Sequence, residues 1–398
     1  MMLKDKKVVL GVTGGIAAYK AAELARFLIR EGASVKVIMT ESATRFITPL
    51  TFQTLTNNPV AVDMFEEPVA WEIEHISLAK WADVFLIAPA TANIIGKIAS
   101  GIADDILTTT VMATKAPVVI APAMNVNMYN NPITQRNIDL LRQYGYYFVQ
   151  PESGELACGD IGQGRLADIS SIVDFVKSLF VKKDLVGRKI LVTAGPTREP
   201  IDPVRYISNY SSGKMGYALA KAARDRGAEV ILISGPTSID PPIGVMFERV
   251  STAEQMRDKV LQYFDEVDAV IMSAAVADYR PMNYSNVKIK KDDSEMTIRL
   301  SKNPDILKEL GDKKGRQVLI GFAAETDNIV MNASKKIKEK NLDMIVINDV
   351  TQPGAGFEVD TNIVKIITKD GDIKDFPLMN KYDLSHAILD LAANLMVR

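Results

Sequence analysis

Four short apolar runs, KKVVLGV (6–12), SVKVIMT (34–40), DVFLIAP (83–89) and APVVIAPA (116–123), alternate with stretches of helical periodicity in the first half of the chain. Unbroken apolar strands between helices specify a parallel sheet covered on both faces. The pattern restarts at GRKILVTAG (187–195) and runs through AEVILIS (228–234), DAVIMSAA (268–275), QVLIGFAA (317–324) and LDMIVIND (342–349). Residues 361–378 then read as a closing hairpin before a C-terminal amphipathic helix. The fold class is therefore α/β with two doubly wound domains. The charged segment KKDLVGRK (182–189) reads as their connection, which gives domains 1–189 and 190–398.

Charge is balanced, with 47 Lys plus Arg against 49 Asp plus Glu, so no overall field recruits nucleic acid or an anionic membrane. No stretch reaches the roughly 20 apolar residues of a membrane span. The start, MMLKDKKVVLGV, lacks the pattern of a signal peptide, and a single cysteine forms no internal disulfide. These features point to a cytoplasmic protein with local anion sites.

Open α/β sheets bind ligands beyond the carboxyl ends of their strands. After the first strand, GVTGGIAAYK (11–20) leads into a helix through Gly14 and Gly15, whose free amides suit a phosphate. A plain tight turn is the competing reading, and the spacing is not GxGxxG. The GxGxxA match at Gly162, Gly164 and Ala167 follows no predicted strand and is discounted. TESATRF (40–46) places the hydroxyls of Thr40, Ser42 and Thr44 after the second strand, as caps or as a second phosphate edge. In the second half, SSGKMG contains a GK pair, but Ser208 stands where a Walker A loop needs glycine.

GVTGGIAAYK, PATANIIGKIASGIADD (89–105) and PAMNVNM (122–128) resemble the signature segments of the flavin-containing cysteine decarboxylases. The chain has Thr91 where that family usually has serine and Tyr129 where tryptophan is usual. The resemblance implies a flavodoxin-like domain that binds FMN through Gly14, Gly15, Thr40, Ser42, Ala90, Thr91 and Asn93. It gives Asn125 to the substrate carboxylate and makes His75 a base or an orienting group. ELACGD (155–160) resembles the substrate flap of phosphopantothenoylcysteine decarboxylases, which makes Cys158 the late proton donor. In that chemistry oxidised FMN takes two electrons from the thiol-bearing carbon, carbon dioxide leaves, and the resulting enethiolate is protonated and reduced back, with no net redox change. The other histidine, His386, reads as a surface residue of the last helix.

GPTREPIDPVRYISNYSSGKMGYALAKAA (195–223), SAAVADYRP (273–281), KIKK (288–291), KNPDIL (302–307), GFAAET (321–326) and NDV (348–350) resemble phosphopantothenate-cysteine ligase. With the first domain, the match spans nearly the whole chain and indicates the bifunctional enzymes of coenzyme A biosynthesis. It implies a Rossmann-like ligase domain with 4'-phosphopantothenate, cysteine and CTP as substrates and Mg²⁺ as the metal, joined through an acyl-cytidylate. Lys288 is then the activating lysine and Asn209 handles the acyl intermediate. Ser273, Ala274, Ala275, Asp278, Asn303, Pro304, Asp305, Ile306, Phe322, Lys336 and Lys340, with Lys288, contact CTP, and Asp278 is the candidate metal ligand. The resemblance also implies a homo-oligomer, with flavin sites between trimeric decarboxylase contacts and with dimeric ligase contacts, reaching a dodecamer. A two-domain NAD-dependent reductase is disfavoured by the missing GxGxxG. A nonenzymatic flavoprotein regulator is disfavoured by the joint presence of His75, Asn125, Cys158, Asn209 and Lys288.

Overall fold

The computed structural model describes residues 3–65, 73–155, 161–290, 296–325, 329–349, 356 and 358–396. The chain divides into two compact units, Met1–Phe180 and Val181–Arg398. Residues 182–189, expected to connect two domains, belong to the second unit for physical reasons. Leu185 is fully buried in its core and donates its N–H to Arg226 O, while Arg226 grips Asp184 with Nε and Nη2, each at 2.8 Å.

The first unit runs β1 (Lys7–Val12), α1 (Ala18–Arg30), β2 (Ser34–Met39), α2 (Glu41–Thr44), α3 (Pro49–Thr56), β3 (Val60–Ala61) and α4 (Glu74–Trp81). It continues with β4 (Val84–Ala90), α5 (Ala92–Ala99), α6 (Ile106–Ala113), β5 (Val118–Pro122), α7 (Val126–Tyr129), α8 (Pro132–Gln143) and β6 (Tyr147–Phe148). A hairpin of β7 (Glu152–Glu155) and β8 (Ile161–Arg165) and then α9 (Ile169–Leu179) complete it. The six-stranded sheet has the order β3-β2-β1-β4-β5-β6, and all its pairs are parallel.

Alternation along a strand sends successive side chains to opposite faces. Val8, Leu10 and Val12 of β1 join one core with α1 and α9, whereas Val9 joins the other with Phe85, Ile94 and Leu107. Helix α1 meets its core with Ala18, Ala21, Leu24, Ala25 and Leu28, a stripe at helical spacing. The start of α6 is fixed by a capping box, in which Asp105 accepts from Thr108 N–H at 2.8 Å and Thr108 Oγ1 accepts from Asp105 N–H at 3.3 Å. A cap of this kind is worth about 1 kcal/mol.

In the second unit the order is β9 (Lys189–Ala194), β10 (Arg198–Pro200), β11 (Tyr206–Ser208), α10 (Lys214–Asp225), β12 (Glu229–Ser234), β13 (Met246–Arg249) and α11 (Ala253–Phe264). Then come β14 (Ala269–Met272), β15 (Tyr279–Pro281), β16 (Leu300–Lys302), α12 (Ile306–Lys313), β17 (Val318–Glu325), α13 (Ile329–Glu339), β18 (Met344–Asp349), β19 (Thr361–Thr368), β20 (Ile373–Asn380) and α14 (Lys381–Met396). The main sheet reads β13-β12-β9-β14-β17-β18-β19-β20, parallel up to β18 and antiparallel through the last hairpin. Ile190, Val192 and Ala194 face one core and Leu191 the other.

His386 is not a surface residue. Its ring lies half-buried and edge-on to Tyr382, 4.7 Å between centroids, and Nε2 is buried with no hydrogen-bond partner among the described residues. Burial holds its pKa below the usual histidine range.

Both sheets tie their first strand to the neighbouring crossover through a buried threonine. Thr13 Oγ1, just past β1, donates to Pro89 O at 2.8 Å and accepts from Thr91 N–H at 3.1 Å. Thr193 Oγ1, near the end of β9, accepts from Ala274 N–H at 3.1 Å.

Candidate active sites

The strand order reverses direction between β1 and β4, and such a switch point opens a crevice at the carboxyl ends. Loops after β1, β2, β4 and β5 line a cleft of about 1220 Å³ there, including Gly14, Gly15, Thr40, Ser42, Thr91, Asn93 and Asn125. Those expected site residues are thus brought together. Ala90, the last residue of β4, is fully buried and does not line it.

Each loop is set by a local device. Thr40 caps α2 by accepting from Ala43 N–H, and Thr91 caps α5 by accepting from Ile94 N–H. A Cβ on Gly14 would lie 2.4 Å from Ser42 Cβ and 2.9 Å from its carbonyl carbon, so only glycine lets these two loops meet. Lys20, Lys97, Asp104, Asp105 and Arg165 also line the cleft and were not anticipated from sequence. Lys97 Nζ contacts Asp104 at 2.6 Å and Asp105 at 3.1 Å, and the bond to Asp104 raises its pKa against the opposing effect of burial. IGKIASGIADD held the spacing for this contact, since Lys97 ends a helical turn and the aspartates follow a glycine turn.

The glycine-dense stretch around Cys158 has a structural explanation. β8 lies against the Asn125 segment so closely that a Cβ on Gly162 would sit 2.6 Å from Val126 Cγ2, and one on Gly164 2.3 Å from Met124 O. Met124 N–H donates to Gly164 O at 2.9 Å, which seats the hairpin beside Asn125. Asn125 caps α7, its Oδ1 accepting from Asn127 N–H at 2.8 Å. Cys158 itself lies outside the described residues. His75 stands in the first turn of α4, half-buried, and does not line the cleft of its own unit.

In the second unit the switch point lies between β9 and β14, and a cleft of about 820 Å³ opens beside it. Asn209, Ser273, Ala274, Ala275, Asp278, Asn303, Pro304, Asp305, Ile306, Phe322, Lys336 and Lys340 all line it. Asn209 Nδ2 donates to Ala275 O at 2.9 Å and so joins the loop after β11 to the loop after β14. Asn303 Nδ2 donates to Ala277 O at 2.8 Å and Arg280 Nη1 donates to Asn303 Oδ1 at 2.9 Å, fixing the Asn303–Pro304–Asp305 turn.

Lys288 does not line this cleft. It is exposed, in a segment held by Ile289, whose N–H donates to Asp202 Oδ2 at 3.2 Å and whose carbonyl accepts from Arg205 Nη2. Among the described residues no group of three or more His, Cys, Asp or Glu side chains is placed to hold a metal ion. Asn348, Asn362 and Lys381 line the cleft without having been singled out as site residues.

Comparisons agree with this division. The family described as Flavoprotein matches residues 1–181, and the family described as DNA/pantothenate metabolism flavoprotein C-terminal domain matches residues 185–396. The chain is 54% identical over 398 residues to the coenzyme A biosynthesis bifunctional protein CoaBC of Bacillus subtilis (strain 168), covering 99% of this chain and 98% of that one. It is 47% identical over 395 residues to the protein of the same name from Escherichia coli (strain K12), covering 98% and 97%. A solved C-terminal domain of such a protein matches at 46% identity, TM-score 0.47, covering 54% of this chain and 98% of that chain. With both halves matched and the relatives covered end to end, the chain belongs to the family of bifunctional coenzyme A biosynthesis proteins, a flavoprotein domain followed by a pantothenate-metabolism C-terminal domain.

Proposed function

We propose that the second cleft joins 4'-phosphopantothenate to cysteine through an acyl-cytidylate made from CTP, and that the first cleft decarboxylates the conjugate to 4'-phosphopantetheine. The observation that carries this reading is the convergence of Asn209, Asp278, the Asn303–Ile306 segment, Phe322, Lys336 and Lys340 on one cleft. These positions are scattered over the second half of the sequence and meet only through the sheet.

In the ligase cleft the phosphopantothenate carboxylate attacks the α-phosphorus of CTP and pyrophosphate leaves. The cysteine amine then attacks the acyl carbon, the amide bond forms, and CMP leaves with the bonding electrons. Lys336 and Lys340 counter the triphosphate charge, and Asn209 holds the acyl group against the Ala275 loop. Mg²⁺ would arrive with the triphosphate, because magnesium commonly uses one or two carboxylates plus substrate phosphates, and Asp278 is an exposed carboxylate of the cleft, as is Asp305, which is paired with Lys340.

FMN fits the first cleft. The uncrowded turn at Gly15, the capped start of α5 and the Thr40 and Ser42 hydroxyls suit its phosphate, and Met124, Met128 and Leu166 give an apolar wall for a ring. When bound it supplies a two-electron acceptor beside the substrate. Asn125 holds the substrate carboxylate, and Cys158, from the hairpin seated beside it, returns a proton to carbon. His75 acts on substrate in an assembly where a neighbouring chain covers the cleft mouth. The exposure of Ile16 (61%), Tyr19 (59%) and Met128 (49%) at that mouth supports a contact between chains there; its trimeric form, and the dimeric ligase contacts that would complete a dodecamer, follow from the family resemblance alone. No described helix is long and apolar enough to cross a membrane.

Incubating the protein with phosphopantothenate, cysteine, CTP and Mg²⁺ tests the reading by product mass. Phosphopantetheine and CMP are expected. Absence of any CTP-dependent conjugate would sink it.

A further inference from the structure

Residues 282–290, the segment after β15 that carries Lys288, form no strand or helix, so groups elsewhere must hold their backbone. The holder is the turn 201–205 between β10 and β11. Ser285 N–H donates to Ile201 O at 3.0 Å, and Ser285 Oγ donates to Val287 O at 2.7 Å. Ile289 N–H donates to Asp202 Oδ2 at 3.2 Å, and its carbonyl accepts from Arg205 Nη2. Both backbone polar groups of the residue beside Lys288 are thus bound to one turn.

The Asp202 side chain is fully buried, and a carboxylate taken out of water needs donors on both oxygens. Oδ1 accepts from the N–H groups of Val204 and Arg205, each at 2.8 Å, and so shapes the turn. Oδ2 takes Ile289 N–H and stands 3.3 Å from Arg205 Nε. Burial opposes the charge, but the three amides and the Arg205 guanidinium outweigh it and hold the pKa below the usual aspartate range. The two oxygens have separate tasks: one makes the turn, the other ties the Lys288 segment to it. From this turn the chain runs through β11 to Asn209, which is anchored on Ala275 O in the cleft wall. Asp202 therefore joins the backbone beside Lys288 to the strand that delivers Asn209.

We propose that Asp202 is a positioning residue of the ligase, its Oδ2 holding the Lys288 segment in fixed relation to Asn209. Fully buried, it acts not on substrate but through Lys288. The inference rests on the reading of Lys288 as the activating lysine. An ammonium on an unheld segment has to be brought to the charge developing at the α-phosphate in every encounter, and a misplacement of about 1 Å costs up to about a hundredfold in rate.

Asp202→Asn separates the two tasks. The carboxamide oxygen can still accept from Val204 and Arg205, whereas an NH₂ in place of Oδ2 is a donor facing two donors, Ile289 N–H and Arg205 Nε. In the full chain, hydrogen exchange should quicken in residues 285–290 while 202–206 stay protected. Thermal melting and decarboxylation of supplied phosphopantothenoylcysteine serve as folding controls. With CTP, Mg²⁺ and phosphopantothenate but no cysteine, the saturated rate of pyrophosphate release should fall about tenfold or more. KM for CTP should stay within about twofold of the wild type. In a Lys288→Gln background the same change should cost less than about twofold, because the two residues act as a unit. A wild-type rate in Asp202→Asn, a rise in KM alone, or an equal loss in the Lys288→Gln background overturns the inference. If Asp202→Asn does not fold, Ile289→Pro deletes the N–H and leaves Asp202 in place, and a wild-type rate there overturns the inference instead. Normal cytidylate formation in Lys288→Gln alone would remove the reading of Lys288, and this inference with it.

Discussion

Asp305 and Lys340 form an ion pair across the ligase cleft, with Lys340 Nζ 2.9 Å from Oδ2 of the carboxylate. The same carboxylate caps α12 by accepting from Lys308 N–H at 3.0 Å. Both side chains are partly exposed, so the pair itself adds little stability, about 0.2–1 kcal/mol. Asp305→Asn keeps the cap and should leave the melting temperature nearly unchanged, while Asp305→Ala loses about 1 kcal/mol. Freed from the carboxylate, Lys340 should meet the triphosphate more readily, so KM for CTP falls a few fold in Asp305→Asn. A raised KM would mean that Asp305 serves the nucleotide directly.

Lys288→Gln should reduce acyl-cytidylate formation by roughly a hundredfold, the usual loss for one stabilising donor. Decarboxylation of supplied phosphopantothenoylcysteine should continue. Lys288 is exposed and off the cleft lining, so this variant decides whether the resemblance assigns it correctly. A normal rate of cytidylate formation would remove it from the mechanism.

Cys158→Ser should still release carbon dioxide but stall before protonation, because a hydroxyl is a far weaker acid than a thiol of pKa about 8.5. Mass analysis should then find an enethiol species and little phosphopantetheine. Equal slowing of every step would instead assign Cys158 to the packing of the hairpin.

Acid stability should depend on Glu309. Arg257 holds this carboxylate with two bonds, 2.6 and 2.9 Å, and Lys313 adds a third at 3.0 Å. Chiefly through Arg257, its pKa falls from 4.5 to about 2. A carboxylate depressed on folding contributes stability that is fully present above its unfolded pKa and disappears as pH drops toward the folded one. Glu309→Gln should therefore melt below the wild type at neutral pH, with the gap closing between about 4.5 and about 2. A constant gap would assign the loss to shape rather than charge.

The central strands were legible because a sheet buried on both faces needs runs such as VVLGV and ILVTA, which no exposed segment tolerates. The short pairs β10–β11 and β15–β16 carry no such run and went unseen. Loop residues directly after strands, such as Thr91 and Ser273, were assigned through the family resemblance, and their place beyond the strand ends puts them on the cleft walls. Lys381 could not, since it begins the last helix and reaches the cleft only because the closing hairpin carries α14 back alongside α10. His386 misled because its burial comes from Tyr382 one turn earlier on α14 and from Arg226 after α10, which donates to its carbonyl.

The buried threonines at the two switch points bear on binding affinity. Thr13 tethers Thr91 and Thr193 tethers Ala274, each at the mouth of a cleft. A ligand arriving at either mouth meets backbone already fixed, so its interaction free energy is not diverted into ordering the loop, a cost that runs to about 0.5–1.5 kcal/mol for each immobilised side chain. Preorganisation at both mouths thus draws on one buried hydroxyl apiece, bonded to the backbone that a ligand would meet.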